Sequence, residues 1–196
     1  MKKFFPLCVY ASAFWFMQPV CVYAYETILT DQNVQGTLES ARVNGILAQY
    51  LATIQMSDPE KATEMGLHGT DNKLTSRDTE TRAAMLSTFK KFREQLHDIK
   101  RDMLYAPLRL DLDLFDHKLE VDIYNMENLD VLHRRPQYYL AMDAVYGVLN
   151  KEYAPKSVRA AAALARLEQL PKTLLQAEKN LSNPPRIWVE QAISQA

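Results

Sequence analysis

Residues 76–104 of the sequence read SRDTETRAAMLSTFKKFREQLHDIKRDML. From Leu86 onward, large apolar side chains recur at steps of three or four residues: Phe89, Phe92, Leu96, Ile99 and Met103. One turn of an α-helix takes 3.6 residues, so these side chains share one face. The other face carries charged residues: Lys90, Lys91, Arg93 and Glu94. The stretch therefore predicts one long amphipathic helix over residues 76–104.

The sequence on both sides of this helix follows the same pattern. Only 5 glycines occur among 196 residues, and prolines stand at most of the junctions between apolar stripes. The alternation of Leu and Asp over residues 110–114 is also compatible with a short strand, but the helical stripe continues past it. We expect an all-α fold, an array of antiparallel helices and helical hairpins, with further helices over residues 37–55, 59–65, 108–131, 137–149, 155–170, 172–181 and 186–194.

Local signals mark where individual helices begin and end. Asp58 is suited to an N-cap, Pro59 to the first helical position and Gly66 to a C-terminal stop, which predicts a short helix between them. Thr75 and Asp78 have the spacing of a capping box, with Asp in place of the commoner Glu. This pair predicts that the long helix begins at residue 76.

The first 24 residues have the pattern of a secretory signal peptide. Lys2 and Lys3 precede an uncharged, apolar run over residues 4–24, which Pro19 interrupts shortly before the small-residue pattern Val22-Tyr23-Ala24. We expect cleavage after Ala24 and export to the periplasm or beyond. An uncleaved membrane anchor is the alternative interpretation, because the run is nearly long enough to span a bilayer.

This division predicts a signal peptide over residues 1–24, a polar lead-in over residues 25–36 and a helical domain over residues 37–196. Both cysteines, Cys8 and Cys21, lie in the predicted signal peptide. The processed chain would therefore contain no disulfide, thiolate metal site or cysteine nucleophile.

The last predicted helix is short for its composition. It starts with Ile187, Trp188 and Val189 and extends for only two or three turns. A helix that carries a tryptophan needs a surface to pack against, and little sequence follows it. We therefore expect the helical domain to be incomplete at its C-terminus.

Composition and charge argue against two classes of binding partner, nucleic acids and anionic lipids. Hydrophobic residues make up 47% and charged residues 24% of the chain, a balance typical of globular proteins. The net charge is −1 and the isoelectric point is about 6.4, so no broad basic field exists to attract nucleic acid or anionic lipid.

Four residues are candidates for substrate or partner binding. His68 and Asp71 lie in a glycine-containing loop where the backbone can approach another group closely, although a helix C-cap followed by an Asx turn would give the same sequence. Arg135 belongs to a small basic cluster between two helices. Tyr139 belongs to the Tyr138-Tyr139 pair, and such a pair more often packs in a core than forms a platform on which a ligand stacks.

No catalytic or metal-binding residue is predicted. His117 and Glu120 lie three residues apart on one predicted helix, but a carboxylate-bridged metal site in a bundle needs Glu-x-x-His motifs from two helices. The acidic residues Asp111, Asp113 and Asp116 lack the glycine and the final glutamate of a calcium loop. No H-E-x-x-H, P-loop or nucleophile-elbow motif occurs.

Several segments together resemble the bacterial family known as domain of unknown function 885. The resemblance extends from about Ala41 to the last residue, and its ordered series is more specific than any single segment. The segments are 59–68 with Asp71 and Leu74, Leu112-x-x-Phe115 with Asn125, Arg135-Pro136-x-x-Tyr139, 166–171, and Ala177-x-x-Asn180-Leu181-x-Asn183-Pro184-Pro185 with Val189-Glu190.

The resemblance implies an exported, all-helical, zinc-metallopeptidase-like protein that is much longer than this chain. Its implied zinc site, a His-Glu-containing helical motif, would lie in a C-terminal half beyond this sequence. No catalytic residue and no cofactor can therefore be assigned to the chain itself. The segment present here would correspond to the N-terminal helical part that covers or flanks the substrate groove.

Two functions follow as hypotheses. The chain is either a scaffold portion of this metallopeptidase-like fold, inactive alone and able to pair with a separately encoded C-terminal half, or a standalone exported module that binds a peptide, a protein or an envelope component. The first hypothesis predicts an exposed apolar face around Trp188 and along the helices that meet the other half.

Overall fold

The computed structural model describes the backbone of residues 18–195 and the side chains of residues 33–195. The predicted signal peptide falls largely outside the described residues and stays a prediction. Among the described helices, none combines the length and the apolar character needed to cross a membrane.

Residues 18–195 form helices joined by loops and turns, with no β-strand among them, which confirms the all-α prediction. Three 3₁₀ turns, His68–Thr70, Arg101–Met103 and Pro136–Tyr139, separate some of the helices. The helices are α1 (Gln18–Ser57), α2 (Pro59–Glu64), α3 (Thr79–His97), α4 (Ala106–Asn128), α5 (Val131–Arg134), α6 (Met142–Asn150), α7 (Lys156–Asn180) and α8 (Arg186–Gln195).

Helix α1 is longer than the sequence predicted. It runs through residues 25–36, which were expected to form a loose polar lead-in. No proline interrupts the chain between Pro19 and Pro59, and polar side chains are satisfied within the helix. The Thr37 hydroxyl, for example, donates to the Asn33 carbonyl at 2.9 Å.

Helix α2 begins at the predicted residue and ends at Glu64, one residue before the predicted end. The Asp58 carboxylate accepts from the Lys61 N–H at 3.1 Å, and Pro59 occupies the first turn. At the other end Gly66 has a φ of +84°, and the Leu67 N–H returns to the Ala62 carbonyl at 2.8 Å. This is a Schellman motif, which requires a left-handed residue at the glycine position.

Helix α3 begins three residues later than predicted, so the capping-box assignment was wrong. Asp78 is the N-cap and accepts from the Thr81 N–H at 2.6 Å, whereas the Thr75 hydroxyl donates to Asp58 instead. The pKa of the Asp78 carboxyl is lowered to about 2. The hydrogen bond from the Ser76 hydroxyl has the largest effect, and the bond from the Thr81 N–H has the next largest. Residue 77 stays extended because α7 binds its backbone.

The same helix ends at His97, short of the predicted residue 104. Ile99 and Leu104 lie outside any α-helix yet remain buried, because the 3₁₀ turn at residues 101–103 folds them back onto the core. The predicted helix over 137–149 likewise begins only at Met142. Ala141 takes a left-handed φ of +48° and separates it from the 3₁₀ turn that Pro136 opens.

One further prediction needed correction, and another was confirmed. Pro171 was expected to interrupt the last long helix, but α7 is continuous through it. Pro171 is exposed, so water can satisfy the carbonyl that loses its hydrogen bond. Residues 110–114 lie within α4, which excludes the strand alternative.

The main core lies between α1, α3 and α4. The Tyr50 ring on α1 packs against the rings of Phe89, Phe92 and Phe115, with its centroid 4.8 Å from that of Phe115. Ala62 of α2 also enters this core. Its other buried members are Val43, Ile46, Ile54, Leu96, Ile99, Leu104, Leu108, Leu112, Leu119 and Ile123.

A second, smaller core joins α6 to α7 through Val145, Val148, Ala162 and Ala163. A third contains Leu132, Tyr139 and Ala177. The residues between the main core and these two cores are mostly polar and buried, so the packing of one half against the other depends on hydrogen bonds more than on apolar contact.

Two glycines of α1 give opposite predictions for substitution by alanine. A Cβ atom at Gly36 would lie 2.8 Å from the Met103 carbonyl oxygen, whereas one at Gly45 would have nothing within 4 Å. We expect Gly45→Ala to raise the free energy of unfolding by about 1 kcal/mol through helix propensity. Gly36→Ala should lower it by about 1–3 kcal/mol through overpacking, despite the same propensity gain. Urea unfolding measures both, and equal stabilisation by the two variants would contradict this packing of α1 on the 101–103 turn.

Candidate functional site

A group of buried polar side chains connects α2, the 71–77 segment and α7. We call Glu60, Thr63, Asp71, Arg77 and Arg166 the polar junction. Four of them are buried, and Glu60 is partly exposed. Buried charges are costly unless they are paired and hydrogen-bonded, so the partners of each group define what the junction does.

Arg77 has the most partners in the junction and is 2% exposed. Its guanidinium forms a bidentate pair with Glu60, with N–O distances of 2.9 and 2.8 Å. It also donates from Nε to the Tyr138 carbonyl at 2.7 Å and lies 4.9 Å from the centre of the Tyr138 ring. One side chain thus ties α2 to the 3₁₀ turn before α6.

The backbone around Arg77 is held by amide side chains of α7. Gln176 Oε1 accepts from the Arg77 N–H at 3.0 Å, and Asn180 Nδ2 donates to the Arg77 carbonyl at 2.6 Å. Gln169 Oε1 accepts in the same way from the Leu74 N–H at 3.1 Å. These bonds keep the segment before α3 extended and explain why that helix begins at residue 79.

Arg166 is 1% exposed and has a different environment. Its guanidinium donates to the Ala144 carbonyl and the Thr63 hydroxyl, each at 2.6 Å. It forms no ion pair with any described carboxylate, and its Nε–H has no hydrogen-bond partner among the described groups. Burial lowers the pKa of Arg166, while the more distant charges of Glu60 and Asp71 raise it.

His68 and Asp71 are brought together on the outer side of the junction. His68 Nδ1 lies 3.0 Å from Asp71 Oδ2, and the Thr63 hydroxyl donates to Asp71 Oδ1 at 2.7 Å. The His68 ring stacks on Tyr153 with 3.7 Å between centroids and 3° between planes. Burial, followed by the contact with Asp71, raises the pKa of Tyr153 to about 12.

The His68–Asp71 pair has the geometry that orients an imidazole, but it has no adjacent nucleophile. Among the described residues, no serine, threonine or tyrosine hydroxyl hydrogen-bonds to His68. Asp71 uses its two oxygens for His68 and Thr63. The pair is therefore suited to holding the 66–71 loop against α6 and α7 and does not form a catalytic dyad with a nucleophile.

A cavity of about 670 Å³ opens beside the polar junction. It lies between α2, the 136–139 turn, α6, α7 and α8, and both Arg77 and Arg166 contribute to its wall. Its charged lining includes two further basic residues, Arg135 and Lys151, and the acidic residues Glu60, Glu64 and Asp143. This volume is in the range of small-molecule and peptide sites.

The four residues predicted for binding fall in three places. His68 and Asp71 lie together on one side of the polar junction, and Arg135 lines the cavity. Tyr139 is 1% exposed, and its hydroxyl donates to the Leu132 carbonyl at 2.7 Å. Its position is that of a core residue, so it does not share a site with the others.

Sequence reasoning missed Arg77 and Arg166 as site residues. Arginines in charged, helix-forming stretches are ordinarily read as exposed. One signal was present for Arg166, because it begins the segment 166–171 on which the family resemblance depends. No corresponding signal marked Arg77.

The described residues do not fit a zinc ion. No three His, Cys, Asp or Glu side chains of residues 33–195 converge in a way that could hold a metal. His117 Nδ1 and Glu120 Oε2 lie 3.6 Å apart on the exposed face of α4, and Glu120 also pairs with the Arg93 guanidinium at 3.2 Å. No step of a reaction is therefore assigned to a metal held by this part of the chain.

The Thr63 hydroxyl joins Asp71 to Arg166, and its removal tests the junction. Thr63→Val keeps the shape of the side chain but leaves an Arg166 N–H and an Asp71 oxygen without this partner. We expect the free energy of unfolding to fall by about 2–3 kcal/mol. Thr37→Val makes the same chemical change at an exposed site on α1, and it should alter the free energy of unfolding by less than about 0.5 kcal/mol. Equal effects in urea unfolding would show that the junction does not contribute to stability.

Comparison with known proteins gives one family and one related structure. Residues 59–196 match DUF885, a family of bacterial proteins of unknown function. The fold is similar to that of a proposed lipoprotein of unknown function from Shewanella oneidensis, with a TM-score of 0.69 and 24% sequence identity. That match covers 79% of this chain but only 28% of the Shewanella oneidensis chain.

The search of curated proteins found no match. The family match nevertheless covers all helices from α2 to α8 and includes the whole polar junction. On this evidence the chain belongs to the DUF885 family of bacterial proteins.

Proposed function

We propose that the chain is an exported, non-catalytic scaffold portion of a DUF885 fold, and that α7 packs against a further helical portion of that fold. The observation that carries the proposal is an apolar stripe on the exposed face of α7. In this proposal, the zinc-dependent peptidase chemistry implied by the family resemblance belongs to the further portion. Similarity to a proposed lipoprotein and the sequence pattern of residues 1–24 support export.

The stripe consists of Leu164, Leu167, Pro171, Leu174 and Leu175. The spacing from Leu164 to Leu174 is three, four and three residues, so these side chains lie along one face of the helix. The four leucines are 57%, 41%, 51% and 58% exposed. Scattered exposed leucines are ordinary, but a continuous stripe of this kind marks an interaction surface.

The buried face of α7 makes the stripe unusual. It consists of small and polar residues: Arg159, Ala162, Ala163, Arg166, Thr173 and Ala177. The helix thus directs four of its five leucines outward and both of its arginines inward, the reverse of a typical surface helix. This arrangement supports a second packing partner on the leucine side.

The occupant that fits best is the further portion of a DUF885 fold. Most of the Shewanella oneidensis chain lies outside the part that this chain resembles, and in a longer fold that remainder needs an apolar surface to pack against. Trp188 contributes less than the sequence predicted, because it is partly buried with the Arg134 guanidinium 5.9 Å from its ring centre. The exposed apolar residues of α8 are Ile187 and Ile193.

A standalone binding module is the second candidate function. The observation that favours it is the cavity beside the polar junction, whose volume of about 670 Å³ is in the range of small-molecule and peptide sites. The two functions are compatible, because the stripe on α7 and the cavity occupy different surfaces of the helix.

Site-specific photo-crosslinking in the native cells tests the scaffold proposal. We expect p-benzoylphenylalanine in place of Leu167 to cross-link a polypeptide that belongs to the remaining part of a DUF885 fold, identified by mass spectrometry. The same group in place of Lys172, which is exposed on another side of α7, should not capture it. Equal capture at both positions, no capture at residue 167, or capture only of a protein unrelated to this family would each contradict the proposal.

A further inference from the structure

A second cavity, of about 350 Å³, lies between α1, α2, α3 and α4. Three aromatic rings and two methionines line it: Tyr50, Phe89, Tyr138, Met85 and Met126. We call it the aromatic cavity. None of its described lining residues comes from α6, α7 or α8, so it is distinct from the cavity beside the polar junction, although Arg135 and Tyr138 contribute to both. Its volume is at the lower end of the range for small-molecule sites.

Two hydroxyl groups in this wall are accessible and form no hydrogen bond with a described group. They belong to Tyr50 and Tyr138. Among the described side-chain hydroxyls, only that of Tyr153 is both fully enclosed and without a partner, so a ligand in the aromatic cavity can reach the other two. Because a largely buried tyrosine ordinarily has a hydrogen-bond partner, these hydroxyls point to a ligand that carries polar groups.

The surroundings of the Tyr50 hydroxyl are acidic. Burial, followed by the charges of Asp122 and Asp58, raises the pKa of Tyr50 to about 12, so the phenol stays a neutral donor. Both carboxylates already have partners, because Asp122 pairs with Lys118 and Asp58 accepts from the Thr75 hydroxyl. Like charges repel, so this part of the cavity suits a neutral hydroxyl on the ligand and disfavours an anion.

Positive charge in the wall comes from two arginines that have no ion-pair partner among the described residues. Arg82 on α3 is half-buried, and Arg135 is exposed. The two lysines of the wall, Lys61 and Lys118, are already paired with carboxylates. Two guanidiniums therefore face one carboxylate outside an ion pair, that of Asp58. Arginine presents planar donors that match a carboxylate, so these two side chains favour a ligand with a carboxylate of its own.

We propose that the aromatic cavity binds a small phenolic acid, that is, a single aromatic ring that carries a hydroxyl and a carboxylate. The ring packs among the aromatic side chains and the methionine thioethers. The Tyr50 hydroxyl bonds to the hydroxyl of the ligand, and Arg82 and Arg135 bind its carboxylate.

The elements around the cavity favour a free acid over the end of a peptide. Most of the wall belongs to helices, whose backbone groups are already bonded within each helix. The main chain of a peptide would find few hydrogen-bond partners there, whereas a phenolic acid has no main chain to satisfy.

Titration calorimetry of the full processed chain tests this site with a phenolic acid and two matched probes. We expect para-hydroxyphenylacetate to bind, and its amide to bind at least about tenfold more weakly, because charge-assisted bonds to the carboxylate are lost. Phenylacetate, which lacks the hydroxyl, should bind about three- to tenfold more weakly. Equal affinity for the phenolic acid and its amide, or no heat with the phenolic acid up to about 10 mM, would overturn the proposal.

A fourth probe, N-acetyl-alanyl-tyrosine, distinguishes the two sources of this chemistry, because it carries the same ring and a free carboxylate at the end of a peptide. We expect it to bind more weakly than para-hydroxyphenylacetate, since its main chain gains no partners in the cavity. Tighter binding of the dipeptide would contradict the assignment of a free acid.

Two variants and a control locate the site. Tyr50→Phe removes one hydroxyl and keeps the ring, so para-hydroxyphenylacetate and phenylacetate should bind to it equally, a change that a merely structural role of Tyr50 would not produce. Arg82→Gln should weaken binding of both acids by about three- to tenfold and leave that of the amide unchanged. Arg109→Gln, an exposed substitution on α4 outside the cavity, should have no effect. Retained discrimination in Tyr50→Phe, or unchanged affinity in Arg82→Gln, would refute the assignment.

Discussion

The contacts of Arg77 are the constraint on which the arrangement of the two halves depends. Its guanidinium is held by Glu60 of α2 and by the Tyr138 carbonyl of the turn before α6, and its backbone is held by Gln176 and Asn180 of α7. Among residues 33–195, no buried apolar cluster extends from the α1–α3–α4 bundle to α6 and α7. The relative position of the halves is therefore set by a buried charge and its hydrogen bonds, which are directional where apolar contact is not.

This constraint has a consequence for the surface of the molecule. The face of α7 that meets the junction carries Arg166, Thr173 and small residues, and the glutamines and asparagine of α7 bind the 72–77 segment. The leucines of the same helix are consequently left on the outside. The buried polar junction and the exposed apolar stripe are two sides of one arrangement, and the cavity opens beside the junction.

Much of the fold could be predicted from the sequence because its signals are local. The stripe from Phe89 to Ile99, the cap at Asp58 and the stop at Gly66 each depend on residues within a few positions of one another. The predictions failed where distant residues decide the outcome. Helix α3 begins at residue 79 because Asp78 caps it and Asn180 binds the Arg77 carbonyl, a contact between residues 103 positions apart.

The site was less predictable than the fold, for a related reason. His68 and Asp71 are three residues apart, so a local turn brings them together. Arg166 meets Thr63 only through the packing of α7 on α2, and the outward leucines of α7 would ordinarily be assigned to the core. The sequence predicted helices on both sides of Pro171, but it did not predict which face of α7 is buried.

Amide hydrogen exchange of the Arg77→Met variant tests the central claim most directly. If the polar junction joins two otherwise separate cores, protection in α6 and α7 should fall by at least about tenfold, while protection in α3 and α4 stays within about twofold of the wild type. An equal loss of protection across all four helices would mean that the chain has one cooperative core. Unchanged protection in α6 and α7 would mean that Arg77 does not hold the halves together.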